Sequence, residues 1–453
     1  MNDPPAIKIA LMGPFGSGNL GDAATQDAMI ATLRKRYPTA EIFGISVYPE
    51  DTEARHGIRS FPMHRSVRRT PQTAPEPPGL APYRPTVASL AGLKAFVKRL
   101  APLYFLLRLV KKLVGMVGTL LGELRFSIAC HRTLKGIDVL LCSGGGQLDD
   151  HWGGPWVQPL SLFRWALVAR LAGTRFGFIS VGVGHLDAPM SRFLVRRALS
   201  WAEYRSFRDP QSSARVARLG ADAAGPVFPD LAFSLPVPDR TAASDRGSGG
   251  QIATVGINVI PYCAPGGWPD SDLGRYSAYL EKIGQLVAWL ARQGLRVMIF
   301  PTAETMDMRA VRDLEARHLC ALSPDLKARV SIDALKGVGR LLQLLGECDL
   351  VIASRFHGVL LSFLMGTPAI GLSYHWKIDE LMKECGQEAR CFAIDSVTCE
   401  TVQLAVEQLS KEREPAIEAI DHRIRSNQDQ LADQYDRLFA FIAKAAQRRR
   451  GTA

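Results

Sequence analysis

Arg355 and His357 flank Phe356 in the stretch Ser354-Arg355-Phe356-His357-Gly358. The run before it, Cys348-Asp349-Leu350-Val351-Ile352-Ala353, is short and apolar and predicts a buried strand; residues 359–365 predict a buried helix ending near Gly366. A cationic pair where a strand gives way to a helix is placed to hold an anion. Ligands of open α/β sheets collect at the carboxyl ends of strands, and a helix N-terminus adds free N–H groups and a partial positive charge. If the strand continues, Arg355 and His357 share one face and Phe356 turns to the other. The structural use of the same residues is an Arg355 ion pair and a helix cap from His357.

Other strand ends carry similar residues. After a strand at 7–12 comes Gly13-Pro14-Phe15-Gly16-Ser17-Gly18-Asn19-Leu20-Gly21-Asp22, then helical spacing over 25–37 and a second strand at 41–47. The spacing fits neither the dinucleotide fingerprint nor the P-loop. The loop offers the Asn19 amide and the Asp22 carboxylate above the sheet, unless Asp22 only caps the helix. A strand at 138–142 ends in Ser143-Gly144-Gly145-Gly146-Gln147-Leu148-Asp149-Asp150-His151-Trp152. Consecutive glycines let backbone approach a ligand, and Asp149, Asp150 or His151 could move a proton or cap the helix expected near Pro159. Strands at 175–184 and from 204 follow, and Arg208 stands at the end of the latter.

The chain of 453 residues can fill two or three domains. Residues 1–235 read as one Rossmann-like domain and 236–251 as a linker rich in Ser, Asp and Gly. Residues 252–414 read as a second such domain, with strands at 254–259, 296–300, 330–332, 350–353 and 368–371 and helices at 276–293 and 337–345; 415–453 form a charged helix. Residues 51–135 are an insertion holding fifteen Lys and Arg against four acids, so they carry the whole net charge of +11. Such local charge suggests one surface with an anionic partner and argues against a nucleic-acid binder, whose basic face spreads over the fold. Within it, 62–89 read as a mobile loop and 90–126 as a helical hairpin broken at Pro102. From Arg108 onward a narrow polar stripe borders a broad apolar face. That pattern suits a helix covering the sheet, or one resting on an anionic membrane surface. No run of about 18 uncharged apolar residues occurs, so a spanning helix is not expected. The start of the chain lacks the basic region of a secretory signal, and eight scattered cysteines read as reduced core residues. A cytoplasmic protein, at most peripheral at the inner face of the membrane, is expected.

Taken together, Gly18-Asn19-Leu20-Gly21-Asp22, Gly144-Gly145-Gly146, Phe207-Arg208-Asp209 with Ser212, and Ser354-Arg355-Phe356-His357-Gly358 resemble the polysaccharide pyruvyl transferases, in order and spacing over about residues 7–395. The resemblance implies two Rossmann-like doubly wound domains in a GT-B-like arrangement, with the active site in the cleft between them. It implies phosphoenolpyruvate as co-substrate, no cofactor, and as acceptor a sugar hydroxyl pair in a cell-surface glycan or its lipid-linked precursor. Arg355 and His357 then bind the donor with help from Arg208; Phe356, Asn19, Gly144, Gly145 and Gly146 are expected beside it. His357 is the candidate acid, and Asp22, Asp149 or Asp150 the candidate base. Some members carry Asn after the three glycines and a His-Gln pair downstream; here stand Gln147 and Val157-Gln158, so that role passes to His151 or is absent. Residues 62–126 have no counterpart. The rival readings are a GT-B glycosyltransferase holding a nucleotide sugar through Asp379, Glu380 or Glu384, and a non-catalytic glycan- or anion-binding protein.

Overall fold

A computed structural model describes residues 6–65, 101–151, 153–220, 225–238, 252–266, 268 and 270–451. Most of the loop expected at 62–89, residues 90–100, the 239–251 part of the linker and Trp152 lie outside the described residues. Two parallel six-stranded sheets form the frame. The first has the order β3-β2-β1-β4-β5-β6: β1 Lys8–Met12, β2 Glu41–Ser46, β3 Ser60–Pro62, β4 Val139–Ser143, β5 Arg175–Val181 and β6 Tyr204–Phe207. The second repeats that winding as β12-β11-β10-β7-β8-β9: β7 Thr254–Asn258, β8 Arg296–Phe300, β9 Val330–Ile332, β10 Leu350–Ala353, β11 Ala369–Ser373 and β12 Cys391–Ala393. This is the doubly wound order whose ligands sit at the carboxyl edge, where the winding reverses. The central strands are apolar throughout because helices cover both of their faces; every residue of β4, β7, β10 and β11 is buried.

The two carboxyl edges face each other. The loop after β1 and the loop after β8 are tied directly: Leu20 N donates to Thr302 O (2.8 Å) and Glu304 N to Gly18 O (2.8 Å). Arg55 Nη1 and Nη2 grip Glu304 at 3.1 and 2.9 Å. Behind them one core runs through both domains, joining Leu20, Ala24, Leu231 and Phe233 to Leu341, Leu345, Leu360 and Phe363. Each such fully buried Leu or Phe contributes about 1.5–3 kcal/mol.

The C-terminal helix, Cys399–Gly451, breaks its helical backbone at Glu412 (φ −113°, ψ 18°), three residues before Pro415, whose ring and missing N–H disrupt the preceding turn. Its charges hide a buried stripe, Ile420, Ile424, Leu431, Tyr435, Leu438 and Ile442, which returns to the first domain's core. There Gln434 Nε2 donates to Ser180 Oγ (2.9 Å) and Ser206 Oγ (2.7 Å).

One local expectation changes. The first helix starts at Leu20, not Thr25, because Asn19 caps it by accepting the Gly21 N–H. The first arm of the hairpin expected at 90–126 lies outside the described residues; from Ala101 to Leu134 the chain is one continuous helix. Within that helix, Arg108–Leu134 is long and apolar enough to cross a membrane by length and composition, which the absence of an uncharged run of 18 had not suggested.

Candidate functional site

Six strand ends converge on one cleft of about 190 Å³, bordered by Asn19, Asp22, Gly146, Arg208, Thr302, Arg355, Phe356, His357, Tyr374, His375 and Lys377. Three helices aim their N-termini into it: Leu20–Arg36, Phe356–Leu364 and Trp376–Glu384. Their free N–H groups and dipoles favour a bound anion.

After β10 the chain does not run on as a strand. Arg355 is extended (φ −103°, ψ 139°) as the helix N-cap, and Phe356 and His357 already form the first turn. The expected alternation therefore fails: Phe356 faces the same cleft as its neighbours, with the Arg208 guanidinium 4.8 Å above its ring. Arg355 is held by Asp307, whose Oδ1 accepts from Nη2 at 2.5 Å, and by the Tyr374 hydroxyl; its Nε is buried without a partner among the described residues. Asp307 is fixed in turn by the N–H groups of Thr302 (3.1 Å) and Ala303 (2.8 Å).

Arg208 leaves β6 from the other domain and donates Nη1 to Asp230 Oδ2 at 3.0 Å. His357 brings Nε2 to 3.4 Å from Thr25 Oγ1 and 3.9 Å from Asp230 Oδ1, so Asp230 stands between the arginine and the imidazole. Burial alone would raise the Asp230 carboxyl; His357, Arg208 and the Ala232 N–H outweigh it and hold the group below the usual carboxylate range. Asp22 shows the opposite balance. Burial raises its carboxyl, helped by Asp230 and opposed by His357, Arg208 and Arg355, and its Oδ2 accepts from Asn19 Nδ2 at 2.9 Å. Two carboxyls in one cleft are thus pushed apart, Asp230 downward and Asp22 upward.

The imidazole reaches this position only because residue 21 is glycine. A Cβ there would lie 2.1 Å from His357 Nδ1. Gly144 and Gly145 have left-handed φ of 59° and 66°, and a Cβ on Gly144 would lie 2.3 Å from Thr25 Cγ2. These two glycines shape the turn, and Gly146 faces the cleft beside Lys377.

The structure separates Asp149, Asp150 and His151 from the other candidates. None borders the cleft. Asp149 accepts the N–H groups of His151 (2.7 Å) and His185 (3.1 Å), and Asp150 those of Ala188 (3.1 Å) and Asp187 (3.4 Å). His151 stacks on His185 with centroids 4.9 Å apart. This segment braces the rim, although the Asp149 charge still acts on Lys377. Gln158 Nε2 donates to Gln147 Oε1 at 3.0 Å, so buried Gln147 is paired with half-buried Gln158.

Sequence reasoning missed the second-domain contribution from β11. His375 caps the following helix, accepting Lys377 N at Nδ1 (3.3 Å); burial, with Lys377 next, drops its pKa to about 3, so it is neutral. Burial, with Arg208 next, lowers the Lys377 ammonium to about 8. The signal was the same as after β10, a short apolar strand running into polar residues and a helix. Among the acids considered for a ribose, Glu380 accepts from Gln211 Nε2 (3.3 Å) and Glu384 pairs with Arg423 (3.5 Å). Both line a neighbouring cavity behind Arg208 and Phe356, not the cleft. Asp379 takes a contact from the Cys391 thiol.

Comparison by sequence with curated proteins gives no match. By structure the chain is similar to a glycosyltransferase from Rickettsia africae, at 9% identity and TM-score 0.55 over 97% of this chain and 100% of that one. It is also similar to UDP-GlcNAc 2-epimerase from Neisseria meningitidis bound to UDP-GlcNAc, at 9% and 0.51 over 95% and 100%. The same enzyme from Methanocaldococcus jannaschii aligns at 10% and 0.50 over 89% and 92%. At such identities the likeness is one of fold, the two-domain GT-B-like arrangement. A model of one family matches residues 19–375, from the cap of the first helix to the cap of the helix carrying Lys377, and so the chain belongs to the polysaccharide pyruvyl transferase family.

Proposed function

We propose that the protein transfers a pyruvyl group from phosphoenolpyruvate to a pair of sugar hydroxyls, on a cell-surface polysaccharide or its lipid-linked precursor, forming a ketal and releasing phosphate. The observation that carries this reading is the meeting of Arg208, Arg355, Lys377 and His357 in one cleft at three helix N-termini. The donor bears a carboxylate and a phosphate on adjacent atoms. Arginine forks bind such groups with charge-assisted, bidentate hydrogen bonds, and the lysine adds a point charge.

Ketal formation adds a proton to the methylene carbon, adds one hydroxyl at C2, expels phosphate and adds the second hydroxyl. Of the two hydroxyl protons lost, one replaces the proton given to carbon and the other leaves with phosphate, so the sequence balances without a cofactor. His357 is the proton donor to carbon. Asp230, 3.9 Å from its Nε2, orients it. Asp22, with its raised carboxyl, takes the hydroxyl proton. Asp149, Asp150 and His151, which brace the rim, have no step here. The reaction would run on the cytoplasmic side of the cell envelope.

Arg355→Lys keeps the charge and loses the fork, so phosphoenolpyruvate affinity falls by about 1.5–3 kcal/mol, measured by titration calorimetry. Unchanged affinity would remove Arg355 from the donor site. Lys377 gives a pH signature. Burial lowers its ammonium to about 8, so donor affinity weakens as pH rises through 8, by at most roughly tenfold per pH unit. Lys377→Gln binds more weakly and loses that dependence; a wild-type affinity flat across this range would assign the charge elsewhere.

A further inference from the structure

We infer that the Ala101–Leu134 helix docks the enzyme on an acidic membrane surface, with the catalytic cleft held toward the lipid. Its C-terminal part is anchored on the body. Cys130 and Leu134 are buried, Gly122 faces Arg65, and Glu123 pairs with Arg65 (2.8 Å) and with Arg164. The face that meets the body at Gly122, Glu123 and Cys130 continues toward the N-terminus as Thr119, Lys112, Lys111 and Arg108, by helical periodicity. The adjoining face is apolar and uncovered among the described residues: Leu109, Leu113, Val117, Leu120, Leu124 and Ile128 are all exposed, Leu120 at 62%, and the last three open onto the groove beside the Gln158–Ala172 helix. Every residue from 108 to 121 is exposed. A stable helix does not leave so broad an apolar face in water unless something covers it.

The occupant follows from charge and length. Arg108, Lys111 and Lys112 border the apolar face, and their long stems let the cations reach lipid phosphates beside it. A second copy of the chain would bring these same cations together. Arg108–Leu134 has the length and mean hydropathy of a span, but a span needs about 20 predominantly apolar residues, and charges at Arg108, Lys111, Lys112, Glu123, Arg125 and Arg132 limit its longest uncharged run to residues 113–122. An interfacial helix satisfies both constraints.

The topology aims this helix. It precedes β4, and Gln158–Ala172 precedes β5 in the same parallel sheet, so both helices run from the carboxyl edge, where the cleft lies, to the opposite edge. An apolar groove of about 770 Å³ separates them, and Thr119 and Leu120 border it together with Trp156, at the start of the second helix. Residues 101–118 therefore run about 27 Å beyond that start on the cleft side. Trp156 is 65% exposed there, as aromatic anchors at headgroup depth are, and it follows the Asp149–His151 rim in sequence. The purpose of docking, presenting a lipid-linked acceptor, rests on the proposed function; the docking itself does not.

The test is sedimentation of the full chain with vesicles of phosphatidylcholine alone or mixed with phosphatidylglycerol, with no donor or acceptor present. The chain should pellet with the acidic vesicles and come off as salt rises. Leu113→Glu/Val117→Glu should cut the bound fraction roughly tenfold or more, with unfolding temperature and phosphoenolpyruvate affinity unchanged. Leu404→Glu, at an exposed leucine elsewhere, should still bind. The inference is overturned if the wild type stays in solution, if the double variant binds as well, or if the bound protein resists alkaline carbonate. It is equally overturned if the double variant merely splits a dimer that never bound vesicles.

Discussion

Replacing His357 by Gln should lower turnover by roughly 10²–10⁴-fold while donor affinity changes far less. Glutamine can hydrogen-bond, but it cannot give a proton to carbon. The position of the imidazole makes the effect specific: Nε2 lies between Thr25 Oγ1 and Asp230 Oδ1, and Asp230 also holds Arg208. Asp230→Asn should therefore reproduce part of the loss and weaken donor binding as well, because Arg208 loses its partner. If His357→Gln weakens phosphoenolpyruvate binding as much as Arg355→Lys does and leaves the surviving rate near wild type, His357 is a phosphate ligand, and Asp22 or Lys377 becomes the acid.

Gly21→Ala should be nearly as damaging to turnover, without touching a functional group. Alanine favours a helix over glycine by about 1 kcal/mol, so the helix Leu20–Arg36 itself gains. The new methyl, however, would stand 2.1 Å from His357 Nδ1, and the imidazole must swing away. A misplacement on the order of 1 Å can cost about 10²-fold in rate. Steady-state kinetics beside a thermal melt separates the effects: turnover collapses while the melt stays close to wild type. Equal turnover in Gly21→Ala would mean that His357 does not act from this position.

Strand ends were the legible part of this sequence. β8 and β10 fall where short apolar runs predict them, because strands buried on both faces cannot hide their composition; β9, a half-buried edge strand, falls where its alternating Val330-Ser331-Ile332 predicts it. Arg208, Arg355, Asp22 and His357 were found for a related reason: polar residues abruptly ending an apolar run lie at a sheet edge. What could not be read were partners distant in the chain. Nothing near Arg355 names Asp307, which follows another strand of the same sheet, and nothing near His357 names Gly21 or Asp230, which meet it only because two sheets face each other. Phe356 borders the cleft as the resemblance implied; only the alternation conditional on a continuing strand does not occur, because the backbone turns helical one residue after the arginine. Lys377 went unseen because the same stretch offered Asp379, Glu380 and Glu384 as acids for a ribose instead. Asp149 and Asp150 looked catalytic beside three glycines, yet their oxygens hold backbone N–H groups of the 185–188 loop.

The central claim is the reaction, and one measurement meets it directly. The full chain is incubated with phosphoenolpyruvate and a panel of free and lipid-linked envelope saccharides, while inorganic phosphate is followed and products are weighed by mass spectrometry. Phosphate should appear only with an acceptor that offers a suitable hydroxyl pair. One saccharide should gain the mass of pyruvic acid less water for each phosphate released, and Arg355→Lys and His357→Gln should suppress both signals together. No phosphate with any acceptor, together with binding of a uridine or guanosine sugar and none of phosphoenolpyruvate, would contradict the account and favour a glycosyltransferase.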